Sequence, residues 1–160
     1  MKNILFLFLL ILICINAGKA QETQPTFDLT LQGANQIMAA AVQYATSHHA
    51  PGAAITIVDD AGTMVLMQRM DGTFLISSEI SYHKAQSAAL FRFPTSKLED
   101  NINNGRFALL STGETSLKGG IPIVYHNNVI GAIGVSGAAT ADQDVEIATA
   151  GLTAAFLNEQ

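Results

Sequence analysis

Ala53-Ala54-Ile55-Thr56-Ile57-Val58-Asp59-Asp60-Ala61-Gly62-Thr63-Met64-Val65-Leu66-Met67-Gln68-Arg69 decides the fold class. β-Branched and apolar residues fill both halves, and Asp60-Ala61-Gly62 between them is turn chemistry. The stretch therefore reads as a β-hairpin, Ala53–Asp59 returning as Thr63–Arg69. A second hairpin follows later in the chain. Gly119-Gly120 opens the strand Ile121–Tyr125, His126-Asn127-Asn128 turns it, and Val129–Val135 comes back. Before the first hairpin, Ala34, Ile37, Met38, Ala41, Val42 and Ala45 recur at spacings of three and four. They predict a helix that Thr30 caps and Pro51-Gly52 closes. Between the hairpins a helix is expected over Ser77–Phe91, stopped by Pro94, then a short one over Lys97–Asn103. Phe107–Lys118 has no clean period and reads as a long loop. Thr140–Phe156 is the last helix, with Thr140 and Gln143 forming a capping box and Asp142 and Asp144 at the positive end of its dipole. The order α-ββ-α-ββ-α cannot form a parallel βαβ sheet throughout. It predicts an α+β domain: a central antiparallel sheet with helices packed on it.

Outward from this domain, the N-terminus reads as a leader. Lys2 precedes an unbroken apolar run, Ile4–Ile15, of 12 residues, too short for a bilayer core of about 30 Å. Gly18 and Ala20 supply small residues for cleavage after Ala20, so residues 1–20 are expected to be a secretory signal peptide, with export to the periplasm or the medium. Ile13 before Cys14 does not fit a lipobox. Gln21–Asp28 is a polar, proline-containing arm, expected to be mobile, and 29–160 is the domain. The whole chain has 8 basic and 13 acidic residues. Loss of Lys2 and Lys19 takes the net charge from −5 to −7, which disfavours nucleic acid. Cleavage also removes the single cysteine, and with it disulfides, thiolate catalysis and cysteine–zinc sites. Charged residues make up only 13% of the chain. With a Gly/Ala-rich C-terminal strand and helix, this sparseness predicts a homo-oligomer.

Few residues suggest chemistry. In the helix Ser77–Phe91, Ile80, Ala88 and Phe91 share one sector at about 100° per residue, and Lys84 projects into its centre. Lys84 either snorkels at the rim of the core or pairs with an anionic ligand or an internal carboxylate. His83 flanks that stripe, either as a partly exposed histidine or as a haem or metal ligand. Arg69, in Arg69-Met70-Asp71-Gly72, leaves a strand end. Its planar fork suits a carboxylate or propionate, or a structural pair with Asp71 or Glu79. Gly119-Gly120 permits close backbone approach to a ligand, or simply a tight strand entry. Gly131, Gly134 and Gly137 have the wrong spacing for a dinucleotide turn. They fit close packing of helix on strand or of subunits, and Gly134-Val135-Ser136-Gly137 is no nucleophile elbow. His48-His49 ends the first helix, in a position suited to its negative pole.

Several segments together resemble the GlcG/HbpS-type haem-binding family, sometimes labelled haem-degrading. They are Ala54–Gly62, Arg69-Met70-Asp71-Gly72, Lys84-Ala85-Gln86-Ser87-Ala88-Ala89, Pro94-Thr95, Gly119-Gly120-Ile121-Pro122-Ile123, and Ile130–Gly137 with Asp142–Ala148. The resemblance spans about Leu31–Leu157. It implies a small α+β domain that often forms homo-oligomers and, in some secreted members, binds haem and iron. From it follows the expectation of a secreted haem-binding protein for haem sequestration or handling. His83 would be the axial and metal ligand, Arg69 and Lys84 the propionate partners, and Thr95, Gly119 and Gly120 further parts of the site. Met70, Tyr82 or Thr95 stand in as ligands if His83 does not serve. Haem breakdown would rest on the resemblance alone. The alternatives are an enzyme or accessory protein binding a small organic anion through Lys84 and Arg69, and a ligand-free oligomeric structural domain.

Overall fold

The computed structural model describes residues 26–155. The leader, residues 21–25 of the arm and Phe156 lie outside the described residues. Helix α1 (Leu31–Ser47) starts where expected, because the Thr30 hydroxyl accepts the Gly33 N–H at 3.1 Å. Strands β1 (Ala54–Asp59) and β2 (Met64–Arg69) form the first hairpin. The Asp59 carboxylate fixes the turn by accepting the N–H groups of Ala61 and Thr63. Helix α2 (Ser77–Phe91) is followed by α3 (Ser96–Asn103). The segment expected to be only loop contains a 3₁₀ helix, Phe107–Thr112. Strands β3 (Gly120–Tyr125) and β4 (Asn128–Ser136) form the second hairpin. Tyr125 pairs with Asn128, so the turn is only His126-Asn127, both at positive φ (45° and 62°), as a type I′ connection requires. Helix α4 (Ala141–Ala155) closes the domain. The Thr140 hydroxyl accepts the Gln143 N–H, and the Gln143 side-chain oxygen accepts the N–H of Ala139.

All strand pairs are antiparallel, in the order β2-β1-β4-β3. Pro122 costs no ladder bond in the middle of the sheet, because β3 is an edge strand. Both faces are covered, giving three layers. One face carries Ile55, Ile57, Ile123, Ile133 and Val135. These are fully buried against Ala34, Ile37, Ala41 and Ala45 of α1 and Ile147 and Ala148 of α4. On the other face Val58 and Ala132 meet Ala85, Ala88 and Ala89 of α2.

That second contact is unusually close. A Cβ on Gly134 would overlap the Ser81 carbonyl, and one on Gly120 would overlap the Lys84 carbonyl. The backbone of α2 therefore rests on the strands, and the buried Thr56 and Ser81 hydroxyls bond to each other at 2.7 Å. This corrects the reading of α2. Its packing face is Ser77, Ser81, Lys84, Ala85 and Ala88; of the expected Ile80–Ala88–Phe91 sector only Ala88 is buried. Bulky side chains would hold the helix off the sheet, so small ones form the contact and Ile80 and Phe91 lie at its margins. The same geometry accounts for Gly131 and Gly134 of β4 and for Gly137 just past its end. They serve packing inside the domain, with Gly134 and Gly137 under α2 and Gly131 against β1. Among the described residues no helix is long and apolar enough to cross a membrane.

Candidate functional site

Four of the six residues singled out in the sequence come together, in a buried cluster at the end of the sheet. Lys84 is 3% exposed; its Nζ donates to the Val135 carbonyl at 2.8 Å and to the Asp144 carboxylate at 2.9 Å. Asp144 also accepts the Ala138 N–H. Gly119, at φ 121°, passes so close that a Cβ there would lie 2.9 Å from Nζ. The Thr95 hydroxyl, fully buried, accepts the Gly120 N–H at 2.9 Å. Burial raises the Asp144 pKa, and the Lys84 charge and the Ala138 bond pull it back only in part. Of the roles open to Lys84, the structure shows the internal carboxylate: α2 and α4, on opposite faces of the sheet, are tied around its end. No buried side-chain polar atom among the described residues lacks a partner. Lys84 Nζ thus has both its printed partners inside the domain, the Val135 carbonyl and the Asp144 carboxylate.

The other two residues stand apart from it. Neighbours on a helix point about 100° apart, so His83 faces outward while Lys84 is buried. The His83 side chain is 46% exposed, with Nε2 3.7 Å from the Glu79 carboxylate, beyond hydrogen-bond reach. Arg69 is exposed at the end of β2, its backbone paired with Ala54.

The structure adds a site that the sequence reading passed over. Helices α1 and α4 leave a shallow, mostly apolar groove between them, lined by Tyr44, Val145, Glu146, Thr149, Ala150, Thr153 and Ala154. Tyr44 reaches across it to donate to Glu146 at 3.3 Å. Desolvation, then the Glu146 charge, raises the Tyr44 pKa and keeps the phenol protonated. The His48 ring stacks on Tyr44, with centroids 3.8 Å apart and planes at 15°. His48 caps α1, and its Nδ1 lies 3.0 Å from the Tyr44 carbonyl. A carbonyl only accepts, and the Ser47 hydroxyl, also 3.0 Å from Nδ1, donates to that same carbonyl, so the neutral tautomer that completes these bonds carries its proton on Nδ1 and keeps the Nε2 lone pair. Nothing among the described residues bonds to that Nε2. An imidazole fixed in this way through its other nitrogen is pre-set as a metal ligand. The signal in the sequence is slight: a histidine one residue past the helix end, four after an aromatic.

A family model described as "Haem degrading protein HbpS-like" matches residues 29–153. The chain belongs to the HbpS-like family. Among HbpS-like relatives, GlcG of Escherichia coli (strain K12) is 40% identical over 109 residues, 68% of this chain and 81% of that protein. The crystal structure of Klebsiella pneumoniae protein ORFY is similar at a TM-score of 0.79 and 31% identity, covering 86% of this chain and 97% of that one. PduOC, solved as a complex with haem, is similar at a TM-score of 0.72 and 28% identity, covering 80% of this chain and 95% of that one.

Proposed function

We propose that this HbpS-like chain is a secreted haem-binding protein that sequesters or hands on haem at its surface. The observation that carries the reading is the free Nε2 lone pair of His48 beside the apolar groove between α1 and α4. Family membership and the haem complex of PduOC support it. The residues fit the group. A porphyrin face needs apolar contact, which Val145, Ala150 and Ala154 give, and ferric or ferrous iron takes a neutral imidazole. Haem, when bound, would supply an iron that takes protein or exogenous ligands. The chain's own part is to hold the His48 tautomer through the Tyr44 carbonyl and to keep a wet, open site where haem can be exchanged. His83 is the second candidate ligand, favoured by its exposure between the exposed apolar residues Ile76, just before α2, and Leu90 within it. The organic-anion alternative is weakened, because Lys84 is committed to Asp144.

A haemin titration followed at the Soret band tests this. The wild type gives a saturable shift. His48→Ala weakens binding at least tenfold and changes the spectrum, whereas His83→Ala leaves both near wild type. The reverse pattern assigns the ligand to His83. A wild-type chain that gives no Soret shift, but is stabilised against heat by small carboxylates, overturns haem binding in favour of an anion.

A further inference from the structure

Helix α1 ends in a strained turn. The Ala50 N–H closes on the Ala45 carbonyl at 2.9 Å and the His49 N–H on the Thr46 carbonyl at 3.3 Å. This is a Schellman end, with His49 at the left-handed position, φ 53°. Glycine is the usual residue there, because a Cβ is crowded in that conformation. The helix has by then run out of N–H groups for the His48 carbonyl. Helix α4 supplies the donor instead: Gln143 Nε2 bonds to that carbonyl at 3.2 Å. The other end of the same amide, Oε1, accepts the Ala139 N–H at 2.9 Å. Ala139 offers a donor and His48 an acceptor, so one orientation of the amide satisfies both. The first turn of α4 is itself held fast. Asp144 takes the buried Lys84 Nζ and the Ala138 N–H, and the Thr140 hydroxyl accepts the Gln143 N–H. His48 is exposed, so it is the partner that this bond restrains.

We propose that Gln143 is a positioning residue for His48: by holding the His48 carbonyl it keeps the imidazole on Tyr44, with Nε2 free beside the groove. The proposal rests on the haem reading of that groove, but the bond belongs to the haem-free chain and is tested there as well. Without it the turn at His49 relaxes, and the His48 ring loses the fixed contact with the Tyr44 carbonyl that selects its tautomer. The other tautomer carries its proton on Nε2 and has no lone pair there. Removing a partner of this kind typically costs a ligand histidine about tenfold or more in affinity.

Two variants separate this role from that of a plain helix cap. Gln143→Glu keeps an oxygen for the Ala139 N–H but sets a second oxygen against the His48 carbonyl. Gln143→Met loses both bonds; should it not fold, Gln143→Glu carries the test alone. In haem-free protein, above the ordinary histidine titration range, nitrogen NMR of the His48 ring should show the Nδ1–H tautomer in wild type and a mixture in both variants. The urea midpoint of Gln143→Glu should stay near wild type. Haemin titrated at the Soret band should bind each variant about tenfold more weakly. Added to His48→Ala, Gln143→Glu should weaken haemin no further, because Gln143 acts through His48; simple repulsion by the new charge would persist there. Wild-type tautomer and affinity in Gln143→Glu overturn the proposal, and so does an equal further loss in the His48→Ala chain. A wild type that binds no haemin, or binds it independently of His48, overturns the haem site alone. The tautomers then decide the role of Gln143: a mixture in the variants supports it, and a single Nδ1–H form overturns it.

Discussion

Asp144→Ala should cost this domain about 3–5 kcal/mol, a large part of the roughly 5–15 kcal/mol that holds a typical domain together. The figure follows from what is left behind. Lys84 Nζ stays in a site where its side chain is 3% exposed, with the Val135 carbonyl as its remaining partner. An uncompensated buried charge accounts for most of the loss, and the Ala138 N–H, deprived of its acceptor, adds about 1 kcal/mol. Lys84→Met should cost a similar amount by the opposite route, stranding the carboxylate. The double variant Lys84→Met/Asp144→Leu removes both charges together and should recover most of the loss, because apolar pairs of similar volume often replace buried ion pairs without cost. Urea denaturation of the four proteins closes the cycle. A single-variant loss below about 1 kcal/mol, or a double variant no better than the singles, would refute the claim that this pair is dry and coupled. Acidification gives an independent check of sign. Burial raises the Asp144 pKa, so the folded chain holds that proton more tightly than the unfolded chain does. The proton-linked increment of stability is then full below the ordinary carboxylate range and lost as pH rises through the raised value, apart from what the pair with Lys84 contributes to the ionised state. Wild type should therefore gain on the apolar double variant as pH falls from neutral.

Gly134→Ala puts a methyl group onto the Ser81 carbonyl and the Ala85 backbone, so it should lower the urea midpoint by an amount worth about 1–3 kcal/mol. Gly105→Ala, with nothing within 4 Å, is the control for backbone strain alone, since both glycines lack a Cβ and only Gly105 has positive φ. Protein recovered from its native host should begin at Gln21 by mass spectrometry. A retained Met1 or a lipid on Cys14 contradicts the leader reading and the secretion proposed with it.

The hairpins were legible because their signal is local. Asp59 to Gly62 carries its own turn chemistry, and the β-branched run beside it alternates between two buried faces. The packing face of α2 was not, because Ser77, Ser81 and Ala85 score as indifferent on any hydropathy scale. What selects them is the closeness of Gly120 and Gly134, residues from a later hairpin. The glycine spacing at 131, 134 and 137 hinted at that closeness without naming its partner. Lys84 stood out as a charge among apolar neighbours, but Asp144 lies sixty positions downstream and only the topology brings the two together. His48 was passed over for a different reason. Its value depends on which ring nitrogen holds the proton, and the carbonyl of Tyr44 decides that. The 3₁₀ helix at Phe107–Thr112 has no apolar period to announce it, since none of its residues is buried.

The strand order has a consequence for how the chain comes to be folded. The central seam joins β1 to β4, so that Ala54 meets Ser136 and Asp59 meets Gly131. Each hairpin can close by itself, but an isolated two-stranded ribbon is marginal in water. The inner faces of both therefore wait for a loop of more than seventy residues to close. Ile55 and Ile57 find Ile133 and Ile147 only when nearly all of the described chain is available. A chain emerging N-terminus first has no stable half to rest in. It should collapse late and in one step, with a rate set by this long-range closure and not by its helices.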